Sequence, residues 1–117
     1  MQQRTMIPQI DVTEVVAFHF VIPDKTDEMF NAHTHGLENL GHKEFQVLVP
    51  GFCRGAAWSV LSNHADRVIN RGERFRPGDT GEIDGVLCGY IEVPGDCPGD
   101  AARIRIVHLP DRYYPSR

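Results

Sequence analysis

Apolar and polar residues change their spacing several times along the chain, and each change marks an element. From Ile10 to Ile22, the residues Ile10, Val12, Val16, Phe18, Phe20 and Ile22 recur at period two against Asp11, Thr13 and His19. That alternation predicts a long first strand, with Glu14 the one exception on its apolar face. Pro23 and Asp24 end it, and Lys25-Thr26-Asp27-Glu28 reads as a polar connection. Met29 to His35 is short and β-compatible, which would set Phe30, Ala32 and Thr34 on one face and Asn31, His33 and His35 on the other. Phe45 to Val49 is almost continuously apolar before Pro50-Gly51, the pattern of a central strand covered on both faces.

The period then changes to that of a helix. From Cys53 to Asn70, the residues Cys53, Ala56, Ala57, Val60, Leu61, His64, Ala65, Val68 and Ile69 form one stripe, and Arg54, Ser62, Asp66, Arg67 and Arg71 form the wet face. Gly72 suits the left-handed residue that closes a helix. Its length, roughly 27 Å, would cover a sheet of about five strands. Gly72 to Gly85 reads as a polar loop containing Pro77-Gly78-Asp79, followed by a strand from Val86 to Val93. The Pro-Gly-Asp signal recurs at Pro94 and Pro98 as turns, and Ala102 to Leu109 is the last strand, with Ile104, Ile106 and His108 alternating against Arg103, Arg105 and Val107. The order is β-β-β-α-β-β: an α+β fold with a mostly antiparallel sheet and one main helix on one face.

Composition narrows the class without naming a chemistry. A chain of 117 residues, 41% hydrophobic and 24% charged, is expected to form a single domain over 1–117, with tails at 1–8 and 111–117. A net charge of -4 and a pI near 5.8 speak against nucleic acid or an anionic membrane as the main partner, since those require clustered cations. The apolar runs are too short for a signal or a membrane helix, so a cytoplasmic protein is expected. Cys53, Cys88 and Cys97 lack the CxxC spacing and read as reduced thiols, the first two in the core and Cys97 exposed between turns.

Candidate chemistry concentrates in His33-Thr34-His35-Gly36-Leu37-Glu38-Asn39-Leu40-Gly41-His42-Lys43-Glu44, which holds three of the six histidines. Here the chain resembles a bacterial family known only as domain of unknown function 4262. Its pattern of Tyr-Thr-x-Gly-Leu, a spacer, Gly-His-Pro-Glu, a strand, a helix and Gly-x-x-Phe-x-x-Gly corresponds to residues from about 30 to 90. The matching segments are His33 to Leu37, Gly41-His42-Lys43-Glu44 and Gly72-Glu73-Arg74-Phe75-Arg76-Pro77-Gly78, with His33 in place of tyrosine and Lys43 in place of proline. The resemblance implies the fold and points at His42 and Glu44, and it implies no activity.

Two site readings follow from spacing. On a strand, His33 and His35 project from one face about 7 Å apart along the backbone, and a return of the loop would bring His42 as a third ligand to zinc or another transition metal. Glu38 or Glu44 would then serve as the base for a metal-bound water. Alternatively, His42 and Glu44 point the same way in an extended segment, either to bind a polar ligand together with His33 or to pin the loop to the central strand. His64 and His108 fall on apolar faces and are expected to be hydrogen-bonded and half-buried. His19 reaches His33 only if the first two strands pair in matching register. Asp79, Glu82, Asp84, Asp96 and Asp100 match no calcium loop, and Arg71, Arg74 and Arg76 are read as cations complementing the helix C-terminus. No catalytic residue is assigned by any motif. Three functions are therefore expected to compete: a ligand- or partner-binding domain using His33 to Glu44, a zinc-type hydrolase on His33, His35 and His42, and a homodimer formed through exposed sheet edges without catalysis.

Overall fold

Six strands and one long helix make up the computed structural model, which describes residues 9–21, 31–48, 54–83, 85–95 and 99–109. The expectations for the two tails, Ile22 to Phe30, Val49 to Cys53, Asp84, Asp96, Cys97 and Pro98 lie outside the described residues. The strands are β1 (Ala17–Val21), β2 (Asn31–His35), β3 (Phe45–Leu48), β4 (Thr80–Ile83), β5 (Val86–Val93) and β6 (Arg103–His108), and the helix is α1 (Arg54–Arg71). They form one sheet in the order β1-β2-β3-β6-β5-β4, with α1 against one face. The α+β class therefore holds, and β3 occupies the interior of the sheet as its apolar run implied.

Three features differ from the expected pattern. The first strand begins later, because Val12–Glu14 winds into a short 3-10 turn in which the Asp11 carboxylate accepts from the Thr13 amide at 3.0 Å. An aspartate that caps its own following backbone competes directly with strand extension. The turn resolves the Glu14 anomaly, since Glu14 is exposed there and Val16 reaches the core. Secondly, Thr80–Ile83 is a strand within the expected polar loop. It is an edge strand paired only with β5, and Gly81 lies against the Tyr90 ring, so Ile83 alone carries its apolar signal. Thirdly, β3 and β6 run parallel, through Phe45↔Ile104 and Gln46↔Arg105. Parallel neighbours need a long connection, and α1 together with the β4–β5 hairpin supplies it.

Between helix and sheet lies the core: Val16, Ala32, Leu37, Phe45, Val47, Ala57, Leu61, Val68, Cys88, Tyr90, Ile104 and Ile106. Burying a large apolar side chain of this kind contributes about 1.5–3 kcal/mol. His64 of the helix stripe and Tyr90 of the sheet form a buried hydrogen-bonded pair within the core. His64 is fully buried, its Nδ1–H donating to the Val60 carbonyl at 2.7 Å and its Nε2 accepting from the Tyr90 hydroxyl at 2.8 Å. Burial pushes the Tyr90 phenol far above its ordinary range and raises the Cys88 thiol to about 11, so both stay protonated. Gly72 takes φ 67 after the helix, as its position implied. His108 departs from expectation: it is exposed at the last position of β6.

Candidate metal centre

The sheet has a second face, and its residues on the first two strands are the ones opposite the core. Antiparallel pairing of β1 with β2 sets His19 directly across from His33 and Ala17 across from His35. The alternation that sends Phe18, Ala32 and Thr34 toward the helix therefore sends His19, His33 and His35 to the other side. Their ring centroids are 5.5 Å apart for His19 and His33, 4.3 Å for His19 and His35, and 4.9 Å for His33 and His35. One nitrogen from each ring falls within 4.8 Å of the others. His33 is buried, while His19 and His35 are exposed.

The hydrogen bonds fix which way the electron pairs face. Asn31 lies two residues before His33 on the same face, and its Oδ1 sits 3.0 Å from His33 Nδ1. A carbonyl oxygen can only accept, so Nδ1 carries the proton and the lone pair of His33 is on Nε2. That nitrogen is 3.1 Å from His35 Nε2. Two imidazoles on one tetrahedral zinc, each about 2.0–2.1 Å from the ion, hold their nitrogens about 3.4 Å apart. The His33–His35 pair is thus already at coordination spacing, with Asn31 orienting the buried ring as an outer partner orients a metal-bound histidine. His19, at an exposed position, completes the group within the same 4.8 Å.

His42 is not part of this group. Its Nδ1–H donates to the Lys43 carbonyl at 2.7 Å and its Nε2 accepts the Phe75 amide at 3.1 Å, which commits both nitrogens and faces the ring toward Phe45 and Phe75. The third histidine expected from spacing is consequently His19 rather than His42. Burial, the largest influence, pulls the His42 pKa below the ordinary imidazole value; its bond to Lys43 opposes this, the charge of Arg74 adds to it, and Glu44 opposes it weakly. The rise expected from the neighbouring carboxylate is therefore outweighed.

Glu44 has a separate task. Its Oε1 accepts from Thr34 Oγ1 at 2.8 Å and the Leu37 amide at 3.1 Å, and its Oε2 accepts from the Gly36 amide at 2.9 Å and the Glu38 amide at 3.1 Å. A buried carboxylate holding four donors is a turn anchor, and the 3-10 turn Leu37–Leu40 is what it anchors. Gly36 enters that turn at φ 125, and a side chain there would also run into the Val15 carbonyl. The same four bonds leave Glu44 unsuited to act as a base. Glu38, exposed, lines with His35, Asp100 and Arg103 a cavity of about 300 Å³ beside the histidines. Arg103 is buried there and donates to the Thr34 carbonyl at 3.3 Å.

Spacing thus put His33 and His35 on one face, where they lie side by side, whereas His19 joins them only through the strand register and the bond between Asn31 and His33 was missed. The one signal for Asn31 was its place two residues ahead of His33 on the same face. No helix among the described residues is long and apolar enough to cross a membrane. Compared with family models, curated proteins and solved structures, the chain matches none.

Proposed function

We propose that this protein binds a divalent transition metal of the zinc type through His19, His33 and His35. The observation that carries the reading is the 3.1 Å approach of His33 Nε2 to His35 Nε2 with the His33 tautomer set by Asn31. Without metal, a proton on His35 Nε2 bridges the two nitrogens; metal binding would shift that proton to His35 Nδ1 and free the Nε2 lone pair as a ligand. Three imidazoles leave a fourth position for water, and such a site lowers the pKa of bound water to about 7. Of the two exposed carboxylates in the adjoining cavity, Asp100 is paired with Arg103 at 3.8 Å and Glu38 would be the one to move the water's proton, which makes hydrolysis of a small substrate the chemistry this site would support. Gly36, Leu37, Gly41, His42 and Glu44, which carry the resemblance to the bacterial family, form in this reading the frame that holds the site. On composition we place the protein in the cytoplasm.

Metal content of tag-free protein measures the proposal directly. Wild type should carry or take up one equivalent of zinc or a similar ion, and His33→Ala/His35→Ala should hold none. His19→Ala should bind at least about tenfold more weakly, while His42→Ala should bind as wild type does. Wild-type protein that takes up no stoichiometric metal sinks the reading, and loss of metal in His42→Ala with retention in His19→Ala would restore the set expected from sequence.

A further inference from the structure

A second site lies away from the histidine triad, where residues 74–76 pass His42. A cavity of about 340 Å³ is lined there by His42, Lys43, Arg74, Phe75, Arg76 and Ile104, and no carboxylate is among its lining residues. On a chain of net charge -4, this gathers three cations around one concave surface. Lys43 is partly neutralised by Glu92 at 3.6 Å. Among the described residues, the Arg74 guanidinium makes one long bond to the Leu40 carbonyl at 3.4 Å, and the Arg76 guanidinium makes no hydrogen bond or ion pair. Complementing the helix dipole does not account for the two arginines, because α1 ends at Arg71 and that effect fades within the last turn.

The backbone that carries them is held from both sides. The Phe75 amide donates to His42 Nε2, and the Phe75 ring packs against Phe45, His64 and Tyr90 at centroid distances of 5.5, 5.0 and 5.1 Å. Three residues beyond Phe75, the Gly78 amide donates to the Tyr90 carbonyl at 2.8 Å, and the Asp79 amide to the Arg76 carbonyl at 3.1 Å. With Phe75 pinned inward, Arg74 and Arg76 are both displayed at the cavity. A pinned loop loses little further freedom on binding, which is the condition under which exposed arginines become a receptor.

We infer that this cavity binds a small organic phosphate, a phosphomonoester whose dianion lies between Arg74 and Arg76 with Lys43 as a third contact and whose organic part rests on the half-buried Phe75 ring. Two uncompensated guanidinium groups match a dianion in charge, and their planar forks match phosphate oxygens in shape. The volume is in the range of small-molecule sites, roughly 300–1,000 Å³, and the aromatic floor favours a ligand with an apolar body over inorganic phosphate.

Phenyl phosphate, titrated into chelator-treated full-length protein and followed by amide NMR, tests this inference. The expected result is saturable movement of the Gly41, Lys43, Phe75 and Arg76 amides. Benzoate should bind at least about tenfold more weakly and phenol should leave these amides in place, since they share the ring and differ in charge. In Arg74→Gln/Arg76→Gln, whose altered residues are exposed and leave the core intact, the dissociation constant should rise at least about tenfold with an unchanged melting temperature. Non-saturable shifts, equal affinity in the double variant, or shifts centred on His19, His33 and His35 would each overturn it.

Discussion

His33 and His42 are almost equally buried, at 4% and 5% exposure, yet their ring nitrogens are used in opposite ways. At His42 one nitrogen bonds the backbone of the next residue and the other accepts the amide of Phe75, so the ring stitches two loops together. His64 behaves alike, spanning Val60 and Tyr90. At His33, Asn31 fixes one nitrogen and the other faces a second imidazole. Burial does not separate a histidine that stitches backbone together from one whose lone pair faces another side chain; the destination of the lone pair does. The difference comes from the two faces of one sheet, since the helix side offers backbone partners and core packing, while on the opposite side of β1 and β2 His33 meets Asn31 and two further histidines.

The contrast breaks most visibly at the turn that joins the two groups. Glu44→Ala leaves three backbone amides and the Thr34 hydroxyl without their buried acceptor and should cost about 3 kcal/mol or more in urea denaturation. A loss under 1 kcal/mol, within the ordinary range for surface substitutions, would show that water replaces the carboxylate there and that the turn is not anchored by it.

A smaller effect is expected from pH. Because burial lowers the His42 pKa in the folded protein, the unfolded chain binds a proton first as pH falls below its ordinary value of 6.5. The stability contributed by neutral His42 is therefore complete above that value and declines below it, until pH passes the folded value. Protonation also removes the acceptor for the Phe75 amide. Denaturation of wild type and His42→Gln on both sides of that pH should show this part of the acid decline in wild type alone; parallel curves would contradict it.

The smallest effect belongs to the triad without metal. His35 is exposed and its partner is another imidazole, so His35→Ala in chelator-treated protein should change stability by no more than about 0.5 kcal/mol. With zinc at about a hundred times the dissociation constant, wild type should gain about 2.7 kcal/mol and the variant far less. An equal gain in both would place metal stabilisation elsewhere.

How much of this was legible in the chain depends on which interactions are local. The helix, β3, β5 and β6 follow from hydrophobic period, because each buries a continuous face against the core. The Val12–Glu14 turn was hidden behind residues that alternate correctly, since the Asp11 side chain overrides a pattern of the right period. β4 was hidden because an edge strand of Thr, Gly and Glu is specified by its partner and by the Tyr90 ring, neither of which is nearby in sequence. The site divides in the same way. His33 and His35 share a strand, so their common face could be read directly, while His19 joins them through the β1–β2 register. His42 and Glu44 were correctly placed on the loop into the central strand, but their individual partners, from Thr34 to Phe75, were not visible from spacing.

The parallel seam between β3 and β6 bears on how the molecule is assembled. β1, β2 and β3 form one antiparallel set and β4 with β5 another, and these two sets meet only through β6, which comes last in sequence and inserts between them. Until residues 103–108 dock, Phe45 and Tyr90 belong to separate half-sheets, each with an open hydrogen-bonding edge. Closing the seam joins Phe45 to Ile104 across a long stretch of chain, a contact of high order whose loop-closure entropy must be met before the core can seal. The last strand is thus the keystone of the sheet, and the rate of folding should be governed by its arrival.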